Sequence, residues 1–262
     1  MTNDRRRGEM NEMAAADGLH ILKARLQKRF LARQCAALAD CLPQALAATE
    51  AAAPVRENPY VIERVRRRED LAHLEANWEE ALFWELKSPP PNSPAPWRRL
   101  LTYQVNLPNR KGERAWGEID LLGVSRGLLP VVIELKAPKS SQNPAQMLVQ
   151  AAAYGVALRK AWNRCFRREW ERIVPGPAAP PDELATCELV CAAPSEYWIE
   201  WTGETPRARK VTASAWAALA TLREGLRSNG FPSLFVRLGH TGVDSRGGPT
   251  GITVEEERLP GR

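Results

Sequence analysis

The amino-acid sequence predicts an α/β fold carrying an N-terminal helical appendage. Three observations lead there. Residues 117–136 hold two apolar, β-prone runs joined by a Gly-containing turn. Asn143-Pro144-Ala145-Gln146 opens a helix soon after them, and residues 11–52 are Ala-rich with a single apolar stripe. Strands followed closely by a helical pattern are the mark of a sheet with helices packed on it.

Taken in order, Leu19, Leu22, Leu26, Phe30, Leu38, Leu42 and Leu46 recur at spacings that align on one helical face. Pro43 would split this stretch into two helices, because proline cannot donate to the helical ladder. Such a face needs a cover, either the chain's own α/β body or a second subunit, in a homodimer or with a partner protein. Prolines at 54 and 59 suggest a boundary, giving a helical region at 1–58 and an α/β domain at 59–262. A second helical pattern spans 61–87, with Leu71, Leu74, Trp78, Leu82 and Leu86 on one face. Five prolines in 88–96 make a loop, 100–107 reads as a strand, and 109–116 as a basic turn. After the two charged strands, Asn143 can cap a helix, Pro144 suits its first turn and Gln146 can complete a capping box. That helix extends through Tyr154 towards Trp170, with Trp162, Phe166 and Trp170 as core positions among its arginines. Residues 188–193 read as a buried strand, and 197–201 extend it or form another. A helix over 213–227 ends at Asn229-Gly230, and 231–259 hold one or two short strands with Gly247-Gly248 as a turn.

The charges inside the two apolar strands are the most informative feature. The first strand reads Gly117-Glu-Ile-Asp120-Leu-Leu and the second Val131-Val-Ile-Glu134-Leu-Lys136. Unpaired charge is costly to bury, so these groups must pair or hold a metal. Residues two apart in a strand share a face, so Glu134 and Lys136 point together while Ile133 and Leu135 point away. If the runs pair as a hairpin, Asp120 lies next to Glu134. Two carboxylates and one ammonium then converge, as in a divalent-metal site with a lysine beside it. The competing reading is a buried salt-bridge cluster without metal.

Asp120, Glu134-x-Lys136 and the downstream Gln150-x-x-x-Tyr154 resemble the PD-(D/E)xK nuclease superfamily over roughly residues 70–200. Ile119 stands where the family's name has proline. The resemblance implies a restriction-endonuclease-like αβββαβ core with a mixed central sheet, and Mg²⁺-dependent hydrolysis of phosphodiester bonds in DNA. By the resemblance, Asp120, Glu134 and the Leu135 carbonyl would hold Mg²⁺, with Mn²⁺ as a substitute, and Lys136 would serve the attacking water. It further implies a glutamate from the first core helix. Glu79 is the choice here, Glu80 the second, and Glu75 also lies close to the buried face. Gln150 would lie beside the active site with Tyr154 supporting it. Lys139, Ser140 and Ser141, at a helix N-terminus, and Arg110 and Lys111, in the basic turn, are candidate nucleic-acid contacts. Restriction or defence, repair and mobile-element processing all fit such an enzyme. The alternative is a catalytically inactive nuclease fold that binds nucleic acid or acts as a scaffold.

Composition is compatible with this. Thirty-seven basic against 31 acidic residues give a charge of +6, which suits a polyanion partner without specifying one. Five cysteines with no Cys-x-x-Cys pair read as buried free thiols, and three scattered histidines argue against a His-rich zinc site. No apolar run is long enough for a membrane span. The charged stretch 1–13 has no apolar signal core, so a cytoplasmic protein is expected. No Walker loop, Gly-x-Gly-x-x-Gly or Gly-x-Ser-x-Gly supports another enzyme class.

Overall fold

A six-stranded mixed sheet forms the centre of the molecule, with helices on both faces. The structure, a computed structural model, describes residues 18–20, 22, 26, 30–54, 74–107, 116–174, 183–203 and 211–260. In chain order these form α1 (Ala32–Asp40), α2 (Leu42–Ala52), α3 (Leu74–Leu86), β1 (Trp97–Asn106), β2 (Glu118–Ser125) and β3 (Pro130–Leu135). There follow α4 (Pro144–Ala161), a π-helical turn (Trp162–Phe166), α5 (Arg167–Ile173), β4 (Glu188–Pro194), α6 (Ser195–Thr202) and α7 (Ala213–Ser228). The chain then forms β5 (Ser233–Gly239), the short pair β6 (Gly242–Val243) and β7 (Pro249–Thr250), and β8 (Thr253–Glu256). Sheet order is β1-β2-β3-β4-β5-β8. The first three strands run antiparallel to one another, β3, β4 and β5 are parallel, and β8 returns antiparallel.

Every residue of β3 is buried, as expected of an inner strand covered on both faces. Leu121, Val131, Ile133 and Leu135 pack with Trp78, Leu82 and Phe83 of α3. Leu122, Val124 and Val132 join the larger core with α4, α7 and the N-terminal helices. The α4 N-terminus closes with the full capping box: Gln146 N donates to Asn143 Oδ1 (3.0 Å) and Asn143 N to Gln146 Oε1 (2.9 Å). A Cβ added at Gly155 would meet Leu189 and Phe231 side chains at 3.0–3.1 Å, so glycine there lets α4 sit close on the sheet.

The N-terminal helices dock on the chain's own α/β body. Leu38, Leu42 and Leu46 belong to the same core as α4 and α7. Lys160 Nζ donates to the Glu50 and Ala51 carbonyls at the C-terminal end of α2, and Gln146 Nε2 to the Leu26 carbonyl. Pro43 lies in the first turn of α2 and so starts that helix, separating it from α1. Trp162, Phe166 and Trp170 are core, and nearby arginines are engaged: Arg159 lies over the Phe231 ring, while Arg167 and Arg172 pair with Glu171 and Glu169. All five cysteines are buried and form no disulfide with one another, and burial pushes the Cys35 and Cys187 thiols up to about 12. Among the described residues, no helix is long and apolar enough to cross a membrane.

Two expectations are corrected. Residues 197–201 form no strand. Pro194 ends β4 and α6 begins at Ser195, burying Tyr197, Trp198 and Trp201, whose spacing fits one helical face. Aromatic β-propensity yielded there to helical periodicity. The C-terminal part carries four short strands rather than one or two, because β8 pairs with β5 and the turn around Gly247 closes the β6–β7 hairpin. For the helix expected over 61–87, α3 supplies the described part from Leu74, and Leu71 lies outside the described residues.

Leu38 is fully buried between α1 and the rest of the core. Leu38→Ala should lower the unfolding free energy by about 2–5 kcal/mol in urea. The loss should appear in one transition that takes the core tryptophans with it. A separate early transition that leaves their fluorescence unchanged would mean that these helices fold apart from the sheet.

Candidate metal centre

β2 and β3 pair with Leu121 opposite Ile133 and Leu122 opposite Val132. Continued by one residue, that register sets Asp120 across from Glu134. There the strand contact passes to a side chain: Leu135 N donates to Asp120 Oδ2 at 2.6 Å. Lys136 N donates to the Ala192 carbonyl of β4 at 3.0 Å, which holds the lysine backbone at the end of the sheet. The Lys136 ammonium forms ion pairs with Glu134 Oε1 and, at 3.3 Å, with Glu75 Oε1 from the first turn of α3. Glu134 is fully buried and Lys136 is 2% exposed.

α3 contributes a second acid. Glu79 Oε2 accepts from Gln104 Nε2 at 2.8 Å. Gln104 sits in β1 with φ at +51°, a backbone conformation uncommon outside glycine. Glu75, Glu79 and Asp120 each offer a carboxylate oxygen, and these atoms lie within 4.8 Å of one another. The second oxygen of Glu134, Oε2, is buried with no hydrogen-bond partner among the described residues. A buried carboxylate oxygen left so is costly, and a cation would satisfy it. The donors are all hard oxygens, the set Mg²⁺ and Mn²⁺ prefer. The residues therefore fit a divalent cation.

The electrostatics have one cause. Three carboxyl groups (Glu134, Asp120 and Glu75) act on the one Lys136 ammonium, and Glu79 lies beside Glu75 and Asp120. Burial pushes the Glu134 carboxyl well above its usual range, the Asp120 charge pushes it further, and Lys136 offsets only part of this. Burial alone would lower Lys136, but Glu134, Asp120 and Glu75 together outweigh it and hold the proton on the amine. Tyr154 feels the same field: burial first, then Glu134 and Asp120, raise its hydroxyl above the ordinary value. That field ties α4 to the cluster from the face opposite α3.

The remaining candidates divide. Gln150 Nε2 donates to Tyr154 Oη at 3.1 Å, so the pair predicted on one face of the helix does interact. Glu80 is buried but turned elsewhere, with its Oε1 3.2 Å from Arg246 Nη2. Glu79 and Glu80 diverge as adjacent helical residues must. Leu135 buries its side chain against α3 and gives its N–H to Asp120. Lys139 and Ser141 are exposed and Ser140 half-buried in the loop between Lys136 and α4. Ser140 N donates to the Ala137 carbonyl there. Arg110 and Lys111 lie outside the described residues. Sequence reasoning missed Gln104 and the tie from Glu75 to Lys136. Gln104 carried a signal, a polar residue interrupting an apolar strand as Asp120 does.

Removing one charge should act in opposite directions on the two sides of this balance. Metal-free Asp120→Asn should melt above wild type, since it removes repulsion while the asparagine oxygen can still accept from Leu135 N. Lys136→Ala should lose roughly 3–5 kcal/mol of metal-free stability, because it strands a buried carboxylate. Thermal denaturation in EDTA measures the first and urea denaturation in EDTA the second, and a lower melting temperature for Asp120→Asn would mark Asp120 as a structural ion-pair member. No family model, no curated protein and no solved structure matches this chain, so its function is argued from this geometry.

Proposed function

We propose that this chain is a Mg²⁺-dependent endonuclease that hydrolyses phosphodiester bonds in DNA, on a restriction-endonuclease-like core of the PD-(D/E)xK type. The observation that carries this reading is the pairing of Asp120 with the Glu134-x-Lys136 strand end. Glu134 keeps one oxygen buried without a hydrogen-bond partner among the described residues, and Glu75 and Glu79 converge on Asp120 from α3. The element order α3-β1-β2-β3-α4-β4 supports the same core.

Asp120, Glu134, Glu79 and Glu75 would hold the cation, with the Leu135 carbonyl added by the family resemblance. A bound divalent cation supplies acidified water and charge neutralisation at a phosphoryl oxygen. The protein's own groups do the rest. The Lys136 ammonium, freed in part from its carboxylates, orients a water or faces the negative charge that builds on phosphorus. Burial excludes bulk water around Glu134 and Lys136, which strengthens both interactions. Gln150, which donates to Tyr154, would lie beside the cluster by the family resemblance. Lys139 and the 140–141 segment stand three to five residues beyond Lys136, where a neighbouring phosphate of the same strand can be held.

Supercoiled plasmid and single-stranded DNA, each with Mg²⁺, Mn²⁺ or EDTA, test the reading. Wild type should cut with either metal and not in EDTA, and Lys136→Ala should lose roughly 10²–10³-fold in rate or more. Equal cutting by the variant would remove Lys136 from the mechanism. No cutting by wild type on either substrate would favour the inactive, nucleic-acid-binding form of the fold.

A further inference from the structure

Glu80 and Arg246 stand outside the metal cluster, yet their contact bears on it. Glu79 and Glu80 are neighbours on α3, both buried, and about 100° apart around the helix. Glu79 faces Gln104 and Asp120, while the Glu80 carboxylate, 2% exposed, meets Arg246 Nη2 at 3.2 Å. Whatever sets the direction of Glu80 therefore sets that of Glu79, because one rigid helix carries both.

Arg246 is itself held. It lies in the turn between β6 and β7, where Asp244 Oδ1 accepts from Arg246 N at 2.9 Å and from Gly248 N at 2.8 Å. Asp244 Oδ2 also lies 3.8 Å from Arg246 Nε. Gly247 has φ at +79°, which fixes the turn in a conformation suited to glycine. The same C-terminal segment grips α3 twice more. His240 meets the Trp78 ring edge-to-face at 5.4 Å, and the Glu85 carboxylate accepts from Gly251 N (3.1 Å) and Ile252 N (2.8 Å). Between α3 and the hairpin lies a cavity of about 170 Å³ bordered by Asn77, Glu80, Trp84 and Arg246. The ion pair spans that gap and adds to these contacts in aligning α3 with the hairpin.

We infer that Arg246 is a positioning residue of the metal centre: by holding Glu80 it fixes the rotation of α3 and presents Glu75 and Glu79 to Asp120. This rests on the metal reading of the cluster. Without the guanidinium, Glu80 is a buried charge that has lost an ion-pair partner, and α3 can relieve it by turning that carboxylate towards water. Glu75 and Glu79 turn by the same angle, away from Asp120 and Gln104.

Mn²⁺ titration calorimetry on the full chain, with melting temperatures measured alongside, tests this. Four proteins are compared: wild type, Arg246→Ala, Arg246→Lys, and Arg246→Ala combined with Glu80→Gln. Arg246→Ala should weaken Mn²⁺ binding about 10–100-fold, the range for residues that orient metal ligands. Arg246→Lys should recover most of that, because it keeps a cation near Glu80. The double variant should also recover, since glutamine leaves no buried charge to expose; a purely structural loss of the arginine would not be reversed this way. An Arg246→Ala affinity within about twofold of wild type, whatever its melting temperature, would overturn the inference. Failure of the double variant to recover would do the same. Absence of Mn²⁺ binding by wild type would remove the metal reading and this inference with it.

Discussion

The buried ion pair between Lys136 and Glu134 is the contact on which this end of the molecule depends. Both residues sit where an inner strand covered on both faces would ordinarily carry aliphatic side chains. Removing such charges from water costs several kcal/mol each, and their mutual attraction offsets that only when further partners join. Glu75 reaches Lys136 from α3, the Leu135 amide serves Asp120, and Tyr154 on α4 lies within the same field. The geometry of the cluster follows from that requirement for compensation. Excess negative charge follows as well, and a divalent cation is the simplest group that would neutralise it.

The two helices that frame the cluster are each anchored by a distant part of the chain. α4 is gripped by the N-terminal segment: Gln146, already used in the capping box, donates to Leu26, and Lys160 binds the carbonyls at the end of α2. α3 is gripped by the C-terminal segment through His240, Arg246 and the amides of Gly251 and Ile252. The C-terminal segment thus bears on the helix that carries Glu75 and Glu79, and the N-terminal segment on the helix that carries Tyr154. A metal centre of the kind proposed would need such anchoring, since ligands left to ordinary side-chain freedom would lose much of their binding energy to ordering. The arginine-bearing stretch from the end of α4 through α5 serves the core first. Its aromatics fill the interior, and several of its guanidinium groups lie on rings or pair with nearby carboxylates.

Much of this was legible in the chain. Asp120, Glu134 and Lys136 were readable because charge inside a β-prone run has few explanations, and because period two fixes which residues share a face. The cap at Asn143 and the break at Pro43 were readable because each is local: a side chain and a backbone group a few residues apart. The region 197–201 misled because aromatic residues suit strands and helix faces alike, and only the packing of Trp198 and Trp201 decides between them. The position of the buried stripe ranks Glu79 first and Glu80 second, yet the stripe could not foretell that Glu75 joins Glu79 at Asp120 while Glu80 turns to Arg246.

By itself, the sequence determined the strand carrying the charges, the helix that follows, and the residue types able to meet a cation. It could do so because each depends on neighbours within a turn or a hairpin. The tertiary structure alone decided that Glu75 reaches Lys136, that Glu79 lies with Gln104 and Asp120, and that Glu80 turns to Arg246. Those contacts join residues 25 to 166 positions apart. Helical periodicity states the angle between two side chains but not the rotation of the whole helix against a sheet. Here that rotation is set by β1 and by the β6–β7 hairpin, and neither is local to α3.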